Sequence, residues 1–205
     1  NARHFGVHDY IATLMFNSPP GTSDAMDVAK MLAVLRLIEP LSSPSFRIWK
    51  QTRTGLLSYP VDPVAARAHL AASVYVQCCL KPHIIHIVGH TEAHHAAQAA
   101  DVIEACQLAR RSVENALHGA PDMTADPLIQ LRTQHLVAEA QVTLQAIRQL
   151  GAGSCPDPLV DPATLARAVQ VGILDAPHLQ NNPFAPGKIK TAIVHGACEA
   201  IEPDG

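Results

Sequence analysis

Residues 83–97 read HIIHIVGHTEAHHAA and hold five of the chain's twelve histidines beside a carboxylate. Ile84, Ile85, Ile87 and Val88 form an apolar run that stops at Gly89, and His90, Thr91, Glu92, His94 and His95 follow at once. Imidazoles at 90, 94 and 95 with the Glu92 carboxylate are the ligand types of a zinc or iron centre. The cluster lacks the certainty of an HExxH motif, whose His-x-x-x-His pair lies on a helix, and no distant acidic partner stands out. A His90, His94, His95 metal set is therefore the alternative reading, beside hydrogen-bonded site or core histidines. Glu92 also reads two ways. It can accept a hydrogen bond from a sugar hydroxyl or orient a general base, or it is a helix N-terminal carboxylate favoured by the dipole.

Arg53 occupies the corresponding place after the segment FRIWKQT, residues 46–52. A guanidinium there can grip a substrate carboxylate with two parallel bonds, or form an ordinary surface ion pair. Lys50, three residues earlier, is a second cationic candidate. Ser73, Tyr75 and Ser112 fall in helical patterns, with no nucleophilic triad around them. The glycines of GAGSC, residues 151–155, follow a helix instead of opening one, which reads as a helix-ending turn and not a phosphate loop.

Strands and helices in alternation must position these groups. NSPPGTSD, residues 17–24, is a loop ending in the capping residues Ser23 and Asp24. Met26, Ala29, Ala33 and Leu37 then share a helical face. FRIWKQT alternates apolar and polar residues as a strand does. Asp62 and Pro63 open a helix as cap and first helical residue, expected to run to about Leu80. The apolar run at 84–88 is the next strand. The order is helix, strand, helix, strand, helix, which argues for a parallel sheet with crossover helices. Beyond Gln98 the pattern is mostly helical: Val102, Cys106, Ala109, Val113 and Leu117 form one expected buried stripe, and Leu136, Ala140, Leu144 and Ile147 another. A shorter helix opens at Asp161 and Pro162, and residues 189–201 read as a hairpin. A buried strand delivering polar groups just before a helix is where parallel α/β folds place their chemistry.

Composition narrows the function classes. With 205 residues, 48% hydrophobic, 16% charged and a net charge of −3, the chain reads as an ordinary soluble protein. Arg110–Arg111 is the only adjacent basic pair, so a nucleic-acid partner is not expected. No apolar run reaches the ~18 residues of a membrane span, and no basic, signal-like segment opens the sequence. Five cysteines without paired spacing read as reduced thiols in a cytoplasmic protein.

Several stretches together resemble a known family: VGHTEAHHAA, then a long helix, LVAEAQVTLQAIRQLGAG, ARAVQVGILDAPH and FAPGKIKTAIVHGACEAIE. They are similar to the C-terminal part of the larger, barrel-forming epsilon subunit of cobalamin-dependent glutamate mutase (methylaspartate mutase). The likeness spans roughly residues 81–201, with Gly172, Leu174, Asp175, Pro177, Gly187 and Lys188 matching its tail.

The resemblance implies the C-terminal portion of a (β/α)8 TIM-type barrel whose mouth faces adenosylcobalamin. Residues 1–150 would supply strand–helix units and helices, and residues 151–205 a helix and a hairpin-like tail packed on them. It implies an isomerase in which an adenosyl radical, released inside the barrel, abstracts hydrogen from a small amino-acid-like carboxylate whose fragment then migrates. Glu92 matches a family glutamate that touches the adenosyl ribose, with Gly89, His90 and Thr91 beside it. The family's lysine falls at or near Gly89 and His90. Arg53 would stand where the family clamps substrate carboxylates. The Asp-x-His-x-x-Gly motif that supplies cobalt's lower ligand is absent from the sequence, so a cobalamin-binding subunit or domain is the implied partner and an oligomer is expected. Two readings from other classes stand beside it: a metal-dependent hydrolase or lyase with a His-rich site at a barrel mouth, and a non-catalytic assembly subunit.

Overall fold

The computed structural model describes residues 1–202. Five strands and five α-helices appear: β1 (Asp9–Phe16), α1 (Asp24–Ile38), β2 (Arg47–Thr54), α2 (Pro63–Gln77), β3 (Ile84–His86), α3 (Ala99–Leu117), α4 (Pro127–Leu150), α5 (Pro162–Gln170), β4 (Lys190–Val194) and β5 (Ala197–Ile201). The chain divides into two compact units, and the division falls inside α4. One unit comprises His8–Gln134 with His195–Ala197; the other comprises Asn1–Val7, His135–Val194 and the residues from Cys198 on.

The first of these units holds a parallel sheet in the order β1-β2-β3. Such pairing needs a crossover between strands, and α1 and α2 supply it. β1 is an element that the sequence pattern did not disclose, and with it strands and helices alternate from β1 to α3. The fold is therefore mixed α/β. Among the described residues the parallel sheet has three strands and does not close into a barrel.

Both crossover helices lie on one face of this sheet. Leu14 and Phe16 of β1 pack with Val28, Ala29, Met31 and Leu35 of α1, with Val76 of α2 and with Leu80 just after it. Burying a side chain of this kind contributes about 1.5–3 kcal/mol, so this cluster anchors the sheet. The α1 face is wider than the expected stripe, because Val28, Met31 and Leu35 join Ala29 and Ala33. Residues of the other parity (Ile11, Thr13, Met15, Trp49, Gln51, Arg53, Ile84, His86) line the opposite face, where Ile11 is 48% exposed. There Asp9 accepts hydrogen bonds from Trp49 Nε1 at 2.8 Å and Arg47 Nη2 at 2.9 Å. Those two donors, Trp49 first, hold its carboxyl below the usual range.

Helix caps follow the sequence closely. Ser23 accepts the Met26 amide, and Asp62 accepts the Ala65 amide ahead of Pro63. The α3 stripe is corrected in part: Ala109 is buried and Val113 packs on the core as expected, but the other three positions are exposed. Val102 is 49% and Leu117 81% exposed, and Cys106 is exposed, while Ala105, Ala109 and Ser112 are buried. The small residues let α3 approach α2 closely, so Tyr59, Ala66, Leu70, Val74 and Val88 share a core with Ala105 and Ala109.

In the other unit, Asp161 caps α5 through the Thr164 amide at 2.7 Å. The expected hairpin is present as β4–β5. Asp175 joins the two tail motifs: its carboxylate accepts the amides of Gly187 and Lys188 at 2.9 and 2.8 Å and of Ile189 at 3.4 Å. Gly187 is needed there, since its φ is +58° and a Cβ would lie 2.4 Å from Gln180 N.

Candidate functional site at the strand ends

The C-terminal ends of β1, β2 and β3 lie side by side, as their register requires: Phe16 pairs with Thr54, and Arg53 pairs with both Met15 and His86. A buried polar layer ties the first two ends to α2. Thr54 Oγ1 donates to Ser73 Oγ at 2.9 Å, and Ser73 Oγ donates to Asn17 Oδ1 at 2.7 Å. Gln77 Nε2 donates to both hydroxyls, at 3.1 and 3.0 Å. Below the Asn17 loop the fully buried Asp27 accepts the Asn17 amide at 2.5 Å, Thr22 Oγ1 at 3.1 Å and Lys30 Nζ at 2.6 Å. Gly55 allows the loops after β1 and β2 to touch, for its amide donates to Phe16 O at 2.7 Å and a Cβ would sit 2.8 Å from Asn17 O.

The loop after β3 is fastened from both sides. Glu92 Oε1 accepts the Gly89 amide at 2.6 Å, and the Glu92 amide donates back to Gly89 O at 3.1 Å. From the β2 side, the Tyr59 hydroxyl donates to Val88 O at 2.7 Å. Burial pushes the Tyr59 phenol up to about 12, with Thr54 opposing, Glu92 adding to the rise and Arg53 opposing it. The phenol thus stays a hydrogen-bond donor across ordinary pH, within the fields of both Glu92 and Arg53. The Tyr59 ring meets His69 edge-on at 5.2 Å, and His69 Nε2 bonds Ser58 Oγ at 2.8 Å. Burial lowers the pKa of His69.

The loop's ionisable groups part company. His90 is 1% exposed, with Nε2 3.4 Å from Glu104 Oε2 on α3 but outside hydrogen-bond geometry. Glu104 is held by Arg67 of α2 through bonds of 2.6 and 3.0 Å, and that hydrogen-bonded guanidinium keeps its carboxyl below the usual range. His94 Nε2 donates to Pro60 O at 3.3 Å, and His95 Nε2 stands 3.7 Å from Asp101 Oδ2. Among the described residues no three His, Cys, Asp or Glu side chains come together as a metal-holding group. Glu92, Gly89 and Thr91 do share one loop end, beside the strand that carries Arg53. Lys50 does not join them: its parity places it on the helix-covered face.

Several buried polar atoms here have no partner among the described residues: Arg53 Nε, Thr91 Oγ1, Thr52 Oγ1 and both His90 ring nitrogens. Buried polar atoms are ordinarily paired, and an unpaired group marks a place where water or a ligand belongs. Sequence reasoning missed Tyr59, whose signal was its position between Ser58 and Pro60 directly after a strand. It also missed Asp27, a carboxylate on an otherwise apolar helix face.

The sequence matches no protein-family model and no curated protein. Among the described residues no helix is long and apolar enough to cross a membrane.

Proposed function

We propose that the chain is a barrel component of an adenosylcobalamin-dependent carbon-skeleton mutase that rearranges a small, amino-acid-like carboxylate. The observation that carries the reading is the set of buried, unpaired polar atoms (Arg53 Nε, Thr91 Oγ1) at the C-terminal ends of adjacent parallel strands. Parallel α/β folds bind their ligands at that end. Three parallel strands in chain order, with both crossover helices on one face and, among the described residues of this unit, no helix on the other, also suit an arc of a (β/α)8 barrel. In a doubly wound sheet, helices cover both faces. Further strands, from this polypeptide or another, would complete the barrel.

The residues fit such a cofactor in chemical type. Thr91 and the Glu92 carboxylate would hold ribose hydroxyls, with Gly89 allowing close approach. When bound, the cofactor supplies radical chemistry that no side chain here provides. The protein's part is to bind, orient and shield. Arg53, on the face opposite the crossover helices, would grip the substrate carboxylate. Tyr59 and Glu92 fix the loop, and His90 fills the space behind it against Glu104. A cobalamin-binding subunit is the implied partner. The reading places the protein in the cytoplasm, where its five unpaired cysteines would remain thiols.

The test combines the chain with adenosylcobalamin, a cobalamin-binding subunit and a panel of amino acids. A substrate-dependent change in the visible spectrum, lost in Arg53→Met, supports the proposal. No complex and no spectral change with any substrate overturns it.

A further inference from the structure

Lys50 lies outside the strand-end site, and its own position calls for a reason. It stands in the middle of the central strand on the helix-covered face, with Ile48 and Thr52 as its neighbours of the same parity. A charge on the covered face of a central strand is costly unless it has somewhere to go. The side chain reaches toward the end of the sheet opposite the mouth, where Nζ donates to Leu80 O at 2.7 Å, just ahead of β3. One bond leaves two of its three N–H groups to be satisfied.

There Lys50 shares a cavity of about 340 Å³ with Arg36, Lys81 and Asp122, over a floor that includes Leu32 and Leu35. Glu39 is the other acid on its wall. Three cations facing two carboxylates leave one positive charge in excess. Asp122 is already engaged, since the Thr124 amide and hydroxyl both donate to its Oδ1, at 3.0 and 2.6 Å. Lys81 is held at φ +48°, a left-handed conformation that a non-glycine residue adopts at a cost. Cations gathered in a half-enclosed space raise one another's energy, and an incoming anion relieves it.

We propose that this cavity binds a small organic carboxylate with a short aliphatic body. Lys50 and Lys81 receive the carboxylate, with the remaining N–H groups of Arg36, whose Nη2 donates to Gln130 Oε1, beside them, and the aliphatic part lies on Leu32 and Leu35. The volume is at the lower end of the roughly 300–1,000 Å³ of small-molecule sites, which favours a compact ligand. The site is independent of the strand-end site, so it stands whatever the fate of the mutase reading.

The test is a titration of the methyl-labelled full chain with acetate, butyrate, hexanoate and inorganic phosphate, followed by NMR. Saturable shifts of the Leu32 and Leu35 methyls are expected, tightening about fourfold per methylene from acetate to butyrate. Lys50→Met should weaken butyrate about tenfold or more. Lys81→Ala removes a charge outside the core and should weaken it about threefold, which keeps the test intact if the Lys50 variant does not fold. No saturable shift below about 10 mM, phosphate binding as tightly as butyrate, or unchanged affinity in Lys81→Ala would each overturn the proposal.

Discussion

Replacing Tyr59 by Phe removes one oxygen and keeps the ring that packs against Ala66, Leu70 and Val74. No cavity opens, so the effect isolates the hydrogen bond to Val88 O. A hydrogen bond whose loss leaves a buried partner unpaired costs about 1–3 kcal/mol. Val88 is 2% exposed, so water reaches its carbonyl poorly and the upper half of that range applies. The expected loss is about 2 kcal/mol, near thirtyfold in the folding equilibrium at about 1.4 kcal/mol per decade. Urea unfolding at neutral pH, read by fluorescence of Trp49, measures it. The same pair of proteins carries a pH signature. The Tyr59 phenol is raised from an ordinary 10 to about 12, so the folded state holds its proton longer than the unfolded chain. Its contribution is fully present below pH 10 and is lost as pH rises toward 12. Wild type should therefore lose stability faster than Tyr59→Phe between those values. A loss below about 0.5 kcal/mol at pH 7, or parallel decline of both proteins at high pH, would refute the reasoning.

Other perturbations reach other parts of the chain. Asp27→Ala strands the Asn17 amide and leaves the partly exposed Lys30 ammonium with only the Ser18 carbonyl, and should cost about 3 kcal/mol in urea unfolding. Ala109→Leu pushes against α2 and should cost about 1–3 kcal/mol, whereas Cys106→Leu on the exposed side should be neutral. If the proposed function holds, Arg53→Met should leave stability within about 0.5 kcal/mol of wild type while carboxylate substrate affinity falls about tenfold or more, measured by calorimetry with the proposed partner present. Burial acts to raise the Asp175 carboxyl, but the amides of Lys188, Ala176, Gly187 and Ile189 outweigh it and hold the pKa below its usual value. Its stabilisation is present above the ordinary carboxylate pKa and lost as pH falls through the lowered one. Amide exchange at residues 187–189 should accelerate in acid, and Asp175→Ala should show the same acceleration at neutral pH.

Local chemistry made part of this structure legible beforehand. Asp62–Pro63 and Asp161–Pro162 are helix openings whose capping bonds involve only near neighbours, so they were readable from the string alone. β1 was not, because Leu14, Met15 and Phe16 are consecutive apolar residues with no alternation, and its pairing partner β2 is remote in sequence. The buried face of α3 was half visible for a different reason: Ala109 and Val113 stood in the expected stripe, but Ala105 and Ser112 matter by being small, which a hydrophobic periodicity does not register. At the site, the segment from Gly89 to Glu92 was visible as ionisable groups after an apolar run. The bond that fastens it, Tyr59 to a backbone carbonyl, has no side-chain signature on the accepting side.

The edges of the parallel sheet also bear on how this polypeptide behaves in solution. Among the described residues β1 and β3 each end the parallel sheet with no further strand paired to them, beside a surface carrying Ile11, Trp49 and Ile84. Such an edge is a template for adding another strand, whatever its source. Prepared alone at high concentration, the chain should self-associate through these edges. The Asp9–Arg47 pair that flanks Trp49 then acts as a gatekeeper, because an incoming strand would have to strip water from its exposed charges, and replacing both by apolar residues should promote association.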